Sequence, residues 1–370
     1  MTTKLSETER FDWLRLARTP GVGPITFSNL IDRFRSASEA LGTLPDLSRK
    51  AGRKRAMTPP SPDAISQEIE ATAKLGAQIV AACEADYPPL LRAIDPPPPV
   101  LTLLGDTTLA AKRTVAIVGA RNASAAGRKI ARDMAAELGQ TGYVTVSGLA
   151  RGIDGEVHAA SLKTGTIAAL AGGVDHIYPQ QHDRLHAAIA AEGLIISERP
   201  LGARAVAKDF PRRNRIVTGC SLGVVVVEAA ERSGSLISAR TAGEQGREVM
   251  AIPGSPLDPR SAGANRLLRD GATLVRSSED VIEVLDGLER RHFSEPPGAE
   301  FEPPTTYEPD ADELARVREA LTHIPISVDE IARAAGVPAG RCAAILTELE
   351  LGGVAETLPG GLAMLAVLQE

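Results

Sequence analysis

The sequence predicts an α/β protein: a doubly wound, mostly parallel sheet with a small helical module before it and a winged helix after it. Three observations predict this. From Arg113 to Val275, short β-branched runs alternate with Ala-rich helical stretches, the pattern of right-handed βαβ units. Several runs are continuously apolar, as in GVVVVEA (223–229), which suits strands buried on both faces. Beyond residue 310, three helical patterns precede a Gly-rich hairpin candidate, the order of a winged helix.

The 370 residues favour two or three domains, and 43% hydrophobic residues are ample for a full core. No apolar run approaches the ~18 residues of a membrane span, and the opening MTTKLSETERFDW has no apolar signal region. The three cysteines, Cys83, Cys220 and Cys342, fit neither a zinc spacing nor a disulfide framework. A cytoplasmic protein with no membrane partner is the expectation.

Taken in order, residues 6–35 predict two short helices around Pro20-Gly21-Val22-Gly23-Pro24, with Pro24 suited to the first turn of the second. This resembles a helix-hairpin-helix, whose glycine turn can approach a DNA phosphate; a helical packing module with an ordinary Gly-Pro turn fits the same residues. Residues 45–62 are basic and Pro-rich, as in a mobile connection, and helical segments are expected up to about Ala85. After the prolines at 88–89 and 96–99, strands are expected at TVAIV (114–118), YVTVS (143–147), TIAAL (166–170), LIIS (194–197), GVVVVEA, EVMAI (248–252) and ATLV (272–275). Residues 291–310 have linker composition. Helices near 311–322, 327–335 and 339–351, then GGVAETLPGGLAMLAV, complete the winged helix. The expected domains are thus 1–85, 86–290 and 311–370, with the linker at 291–310.

The net charge of −6 is unevenly placed. From residue 309 onward there are 4 basic and 10 acidic residues, whereas residues 1–308 hold 37 of each. The body is neutral and the tail carries the excess. Aromatic residues are only 3%, which disfavours a reader that stacks bases on an aromatic platform. Phosphate-held single strands remain compatible with this composition.

In an open α/β sheet, ligands bind beyond the carboxyl ends of the strands. There the sequence places Gly119-Ala120-Arg121, Ser147-Gly148, Gly172-Gly173, Glu198-Arg199, Glu228-Ala229 and Pro253-Gly254. Small residues let backbone amides approach a ligand, and helices beginning near Ser124, Gly152 and Ser235 would aim positive dipole ends at the same rim. The chemistry points to a phosphate-bearing ligand. GARNASAAG lacks G-x-G-x-x-G spacing and no G-x-x-x-x-G-K-[ST] occurs, which disfavours a simple dehydrogenase or a P-loop ATPase.

Two basic segments add to the rim. Residues 121–132 contain Arg121, Arg128, Lys129 and Arg132 without an acid. Residues 199–215 hold Arg199, Arg204, Lys208, Arg212, Arg213 and Arg215 against Asp209 alone, with Phe210 and Asn214 interleaved. Arginine and lysine contact phosphates, Asn can bond a base edge and Phe can stack on one. Catalytic signals are weaker. Asp154 and His158 are spaced i, i+4 without a third metal ligand, His176 and His182 lack metal spacing, and Ser147 is outside a nucleophile elbow. Glu228 could act as a base or bind a ribose, but no nucleophile, base and oxyanion set is complete.

The ordered motifs AIVGARNASAAG (116–127), VSGLARGIDGEVHAASL (146–162), AGGVDHIYP (171–179), ISERPLG (196–202), FPRRNRIVTGCS (210–221), VVEAAERSGSLISARTAGEQGREVMAIPGS (226–255) and GANRLLRDGATLV (263–275) resemble the DprA/Smf family. The resemblance covers residues 85–280 closely. It implies a Rossmann-like core, an N-terminal SAM or helix-hairpin-helix-like module and a C-terminal winged helix. It further implies a cytoplasmic homodimer that binds single-stranded DNA and loads RecA recombinase onto it in DNA processing, recombination and natural transformation. Neither enzymatic activity nor a cofactor is implied. Carried over by motif, the DNA pocket falls on Gly119, Ala120, Arg121, Lys208, Phe210, Arg213, Asn214 and Arg215, with Ser147 and Gly148 lining it. Ala120 stands where the family often has Ser, so one hydroxyl contact is missing.

Two other functions compete. A Rossmann-like nucleotide hydrolase of the phosphoribohydrolase type would carry P-G-G-x-G-T-x-x-E, where this chain has EAAERSGSLISA. A regulator reading duplex DNA would use residues 339–351, which offer Arg341 against Glu348 and Glu350. An acidic helix repels phosphates, which favours a protein contact for it.

Overall fold

The computed structural model describes residues 4–50, 57–292, 311–358 and 360–366. The expected linker lies outside these apart from residues 291–292, as does the middle of the basic stretch at 45–62.

Ser6 caps the first helix, α1 (Glu7–Ala17), accepting the Glu9 backbone N–H while the Glu9 carboxylate accepts the Ser6 N–H. α2 (Pro24–Phe34) begins with Pro24, and Gly21 in the connecting turn has φ +89°. With α3 (Ala37–Lys50), these helices bury Leu16, Phe27, Leu30, Ala40 and Leu44 together. α4 (Pro62–Lys74) follows.

The chain then runs through β1 (Gln78–Ala81), α5 (Pro89–Arg92), β2 (Val100–Gly105), β3 (Thr114–Val118), α6 (Ala125–Gln140), β4 (Val144–Ser147), α7 (Ile153–Ser161), β5 (Thr166–Ala169), α8 (Asp183–Glu192) and β6 (Leu194–Ser197). It continues through α9 (Asp209–Gly219), β7 (Gly223–Val226), α10 (Gly234–Glu244), β8 (Glu248–Ala251), α11 (Ala262–Arg269), β9 (Thr273–Leu274) and α12 (Ser278–His292). The nine strands lie in the order β1-β2-β6-β5-β4-β3-β7-β8-β9. Pairing is parallel from β6 to β9, and β2 joins β6 and β1 antiparallel.

The parallel strands are buried on both faces, as their unbroken apolar runs require. In β3, Val115 and Ile117 enter one core with Met134, Leu138, Val225 and Val227, while Ala116 and Val118 enter the other with Val144, Val146, Val224 and Val226. From β3 the chain builds outward through β4, β5 and β6, then crosses back to β7 on the opposite side of β3. That reversal opens a crevice at the carboxyl ends of β3 and β7.

The antiparallel edge corrects the helical reading up to Ala85. QIVA is too short for periodicity to separate strand from helix, and its pairing with Val100–Leu103 is a long-range contact.

The last segment forms α13 (Ala311–Ala320), β10 (Ile326–Ser327), α14 (Val328–Ala335), α15 (Ala339–Leu351), β11 (Ala355–Leu358) and β12 (Leu362–Leu365). The expected three helices and wing are present, and β10 adds a third strand in the order β10-β12-β11. Val317, Ile331, Cys342, Ile345, Leu346 and Ala363 make its core.

Two compact units result. One contains Ser66–Pro296; the other joins Leu5–Ile65 to Pro297–Glu370. Within the second unit, α15 packs on α2. Arg33 pairs with Glu348 at 2.8 Å, Asn29 Nδ2 donates to Thr347 Oγ1 at 2.6 Å, and Thr26 Oγ1 donates to Glu350 at 2.9 Å. Leu351 enters the core around Leu16 and Phe27. Thr26, Asn29, Leu30 and Arg33 share one face of α2 by their i, i+3, i+4, i+7 spacing. The acidic side of α15 therefore meets protein, and that protein is this chain's own N-terminal module.

Candidate nucleic-acid interface

The crevice beside β3 holds a cleft of about 960 Å³ whose lining includes Gly119, Ala120, Arg121, Gly148, Phe210, Arg213 and Asn214. Three turns and the helix α9 supply its lining. The turn after β3 brings Gly119–Asn122, and Ser124 then caps α6 by accepting the Gly127 N–H at 2.9 Å. The turn after β4 brings Gly148. Gly152 closes that turn with φ +80°, and a Cβ there would lie 2.3 Å from the Ala120 carbonyl. Only glycine lets the start of α7 approach the β3 turn, where the Ile153 N–H donates to Ala120 O at 3.3 Å. The turn after β7 brings Ala230 and Arg232–Ser235, at the start of α10.

The second basic segment is partly helical. KDFPRRNR, in sequence a basic segment beside the strand rim, forms the first two turns of α9 with Lys208 at the N-cap. Helical spacing then sorts its side chains. Phe210, Arg213, Asn214 and Val217 face the cleft, at i, i+3, i+4 and i+7. Arg215 faces away and pairs with Glu198. Lys208 is exposed and lies outside the cleft lining, and so does Ser147, whose buried hydroxyl donates to Ile117 O at 2.8 Å. The first basic segment is sorted in the same way. Arg121 reaches the cleft, Arg128 and Arg132 pair with Glu156, and Lys129 pairs with Asp133.

Arg121 and Phe210 meet directly, with the guanidinium carbon 5.2 Å from the ring centroid. Tyr178, half exposed, sets its ring 5.4 Å from the same Phe210 at 55°, so the cleft mouth carries two aromatics and a cation. Arg213 is 6% exposed, and its Nη1 donates to Ala169 O at 3.0 Å. Burial lowers its pKa, opposed by the nearby Asp154 carboxylate. Burial likewise raises Asp154, opposed by Arg213 and by the N–H groups of Ala150 and Gly148, which donate to it at 3.2 and 3.1 Å. Asp154 is thus the counterion and loop clamp of the site.

Three further catalytic candidates have structural partners. Glu228 accepts the Ser124 N–H at 2.9 Å and its hydroxyl, which ties β7 to the start of α6. His158 Nδ1 bonds Thr166 Oγ1 at 2.7 Å, and burial pushes the imidazole down to about 3. His182 Nδ1 faces Leu149 O at 3.1 Å. Among the described residues, no cluster of three or more His, Cys, Asp or Glu could hold a metal.

Sequence reasoning missed Tyr178, Arg232 and Arg260 in the cleft wall. Tyr178 lies at the end of the AGGVDHIYP motif, while Arg232 and Arg260 come after β7 and β8. Tracing each rim turn a few residues further would have found the two arginines.

Comparison with known proteins gives the same order of parts. The family described as DNA recombination-mediator protein A matches residues 78–286. A DprA-like N-terminal HHH domain matches 7–71 and a DprA winged helix domain matches 301–361. The chain belongs to the DprA family. The N-terminal match carries the HHH name of one of the two readings of residues 6–35.

Among DprA relatives, Protein Smf of Escherichia coli is 40% identical over 282 residues, 74% of each chain. Protein Smf of Synechocystis is 31% identical over 96% of this chain and 98% of its own. The X-ray structure of DprA from Streptococcus pneumoniae superposes with a TM-score of 0.64 at 32% identity, covering 76% of this chain and 98% of that one. DprA from Helicobacter pylori, whose structure is described in terms of a single-stranded DNA binding mode, gives 0.52 at 28% identity over 58% and 96%.

Proposed function

We propose that this protein binds single-stranded DNA in the cleft between β3 and β7 and delivers the strand to RecA recombinase during DNA processing and recombination, including natural transformation. The observation that carries this is the Arg121–Phe210 pair in one cleft with buried Arg213, with Asn214 on the same helix face as Phe210 and Arg213. Arg121 and Arg213 supply phosphate donors, Phe210 and Tyr178 supply stacking faces, and Asn214 supplies a base-edge donor and acceptor. A base can reach this set only when splayed from its strand, which favours unpaired DNA. The small residues at the rim and the start of α10 add backbone N–H groups for phosphate.

In this proposal the ten residues expected from sequence divide by role. Gly119, Ala120, Arg121, Gly148, Phe210, Arg213 and Asn214 touch the strand, Ser147 and Arg215 hold the frame, and Lys208 contributes long-range charge at the end of α9. The protein acts in the cytoplasm as a binding protein rather than an enzyme. As a homodimer it presents two clefts to one strand and gains avidity by effective concentration. Titration of matched single- and double-stranded oligonucleotides tests the reading. Preferential single-strand binding supports it; equal affinity for both, or release of free base from a nucleoside monophosphate, would overturn it. RecA delivery is tested by the rate at which RecA filaments assemble on the strand with and without this protein.

A further inference from the structure

Arg213 borders two cavities. Besides the cleft, it lines a smaller one of about 20 Å³ with Glu198, Arg199, Asp209 and Arg212. That volume holds one water-sized group. Some donors of the arginines at this place lack a partner in the protein. Arg199 and Arg213 each have a buried Nε with no hydrogen-bond partner, and the neighbouring Arg215 has a buried Nη1 in the same state. Buried N–H groups left without acceptors are costly, so the cavity calls for an oxygen.

The two carboxylates of the cavity are already engaged. Glu198 pairs with Arg215, and Asp209 accepts the Val206 N–H at 3.0 Å. The exposed Arg212 side chain makes no hydrogen bond or ion pair among the described residues. Three arginines thus line one small space at the amino end of α9, beside two carboxylates that already have partners. An anionic oxygen suits this set better than a neutral one.

Resting on the single-strand reading above, we propose that Arg199, Arg212 and Arg213 form a second phosphate subsite, which takes the phosphodiester adjoining the nucleotide held in the cleft. One phosphate oxygen enters the cavity between Arg199 and Arg213, and the rest of the group stays at the mouth against Arg212. Arg213 then lies between consecutive phosphates and fixes the register of the strand. Sequence alone could not separate this role, because Arg199 and Arg212 come from different turns and Arg212 faces away from Phe210 on the helix.

The test compares Arg212→Gln with Arg204→Gln in the full-length protein, by anisotropy of a labelled oligothymidylate across salt concentrations. Arg204 is exposed in the same basic segment but lines neither cavity, so it reports general charge alone. Loss of one phosphate contact lowers the salt slope by about 0.7 and weakens binding about 10- to 100-fold. We expect this for Arg212→Gln and a distinctly smaller change for Arg204→Gln. Equal changes in the two variants would reduce Arg212 to background charge and overturn the subsite. An unchanged Arg212→Gln, with Arg121→Ala still defective, would mean that the cavity holds only water while the cleft stands. If neither Arg212→Gln nor Arg121→Ala has an effect, the cleft itself is wrong.

Discussion

The Arg121 guanidinium lies over the Phe210 ring, 5.2 Å from its centroid. One residue comes from the turn after β3 and the other from the first turn of α9, so the pair is a tertiary contact across the crevice. Stacking on a cation holds the ring in place before any ligand arrives, leaving its other surfaces and Tyr178 available to a base. Phe210→Ala should therefore weaken single-strand binding by about 1–3 kcal/mol, the worth of one stacked base. Its salt slope should stay unchanged because no charge is lost. A reduced slope would mean that Phe210 acts by positioning Arg121 rather than by stacking.

Gly148→Ala should disable the cleft from beneath. A Cβ at Gly148 would lie 1.5 Å from Arg213 Nη1, so Arg213 must leave its place and its bond to Ala169. Displacing a buried, hydrogen-bonded cation costs about 2 kcal/mol or more. Chemical denaturation should show that loss, and strand affinity should fall with it. Stability unchanged from wild type would contradict the buried placement of Arg213.

His158 makes stability depend on pH. Burial holds its pKa near 3 in the folded state, against an ordinary value of 6.5, so the unfolded chain takes up a proton that the folded chain refuses. The contribution is complete above pH 6.5 and is lost as pH falls from 6.5 toward 3, at up to about 1.4 kcal/mol per pH unit. Denaturation midpoints of His158→Gln, measured from about pH 8 to about pH 5, should fall less steeply than those of wild type. Parallel curves would contradict a buried neutral imidazole.

The pairing of Arg33 with Glu348 predicts a charge-swap rescue. Arg33→Glu places two carboxylates together and should lower the thermal midpoint of the unit containing α2 and α15. Exposed or half-buried pairs are worth about 0.2–1 kcal/mol, so the effect is small, and Arg33→Glu combined with Glu348→Arg should recover most of it. Additive losses in the double variant would show that the two residues do not interact.

Removing residues 309–370 separates two roles. The cleft lies wholly in Ser66–Pro296, so most single-strand affinity should survive. The N-terminal helices lose Leu351 from their core and the partners of Thr26, Asn29 and Arg33. Their protection from amide hydrogen exchange should therefore fall. Intact protection would contradict the α2–α15 packing.

Much of this was legible in the residues. The parallel strands announced themselves as uninterrupted apolar runs, and the rim could be read from the two or three residues at the carboxyl end of each strand. β1 and β2 were hidden because strands of four and six residues carry too little period and their partners are far away in sequence. Within the basic segments, composition could not say which way each arginine points. Helix geometry settled that, sending Arg213 into the cleft, Arg215 to Glu198 and Arg128 and Arg132 to Glu156. Tyr178 escaped notice because its role comes from meeting Phe210 across the crevice. The acidic tail showed its charge plainly, but the partner for that charge is a face of α2 at the other end of the chain.

The most direct measurement is the affinity of Arg121→Ala for a single-stranded oligonucleotide across salt concentrations. Loss of one charged phosphate contact should weaken binding about 10- to 100-fold and reduce the salt slope by about 0.7. Wild-type affinity and slope in a folded Arg121→Ala protein would contradict a DNA cleft at the carboxyl end of β3.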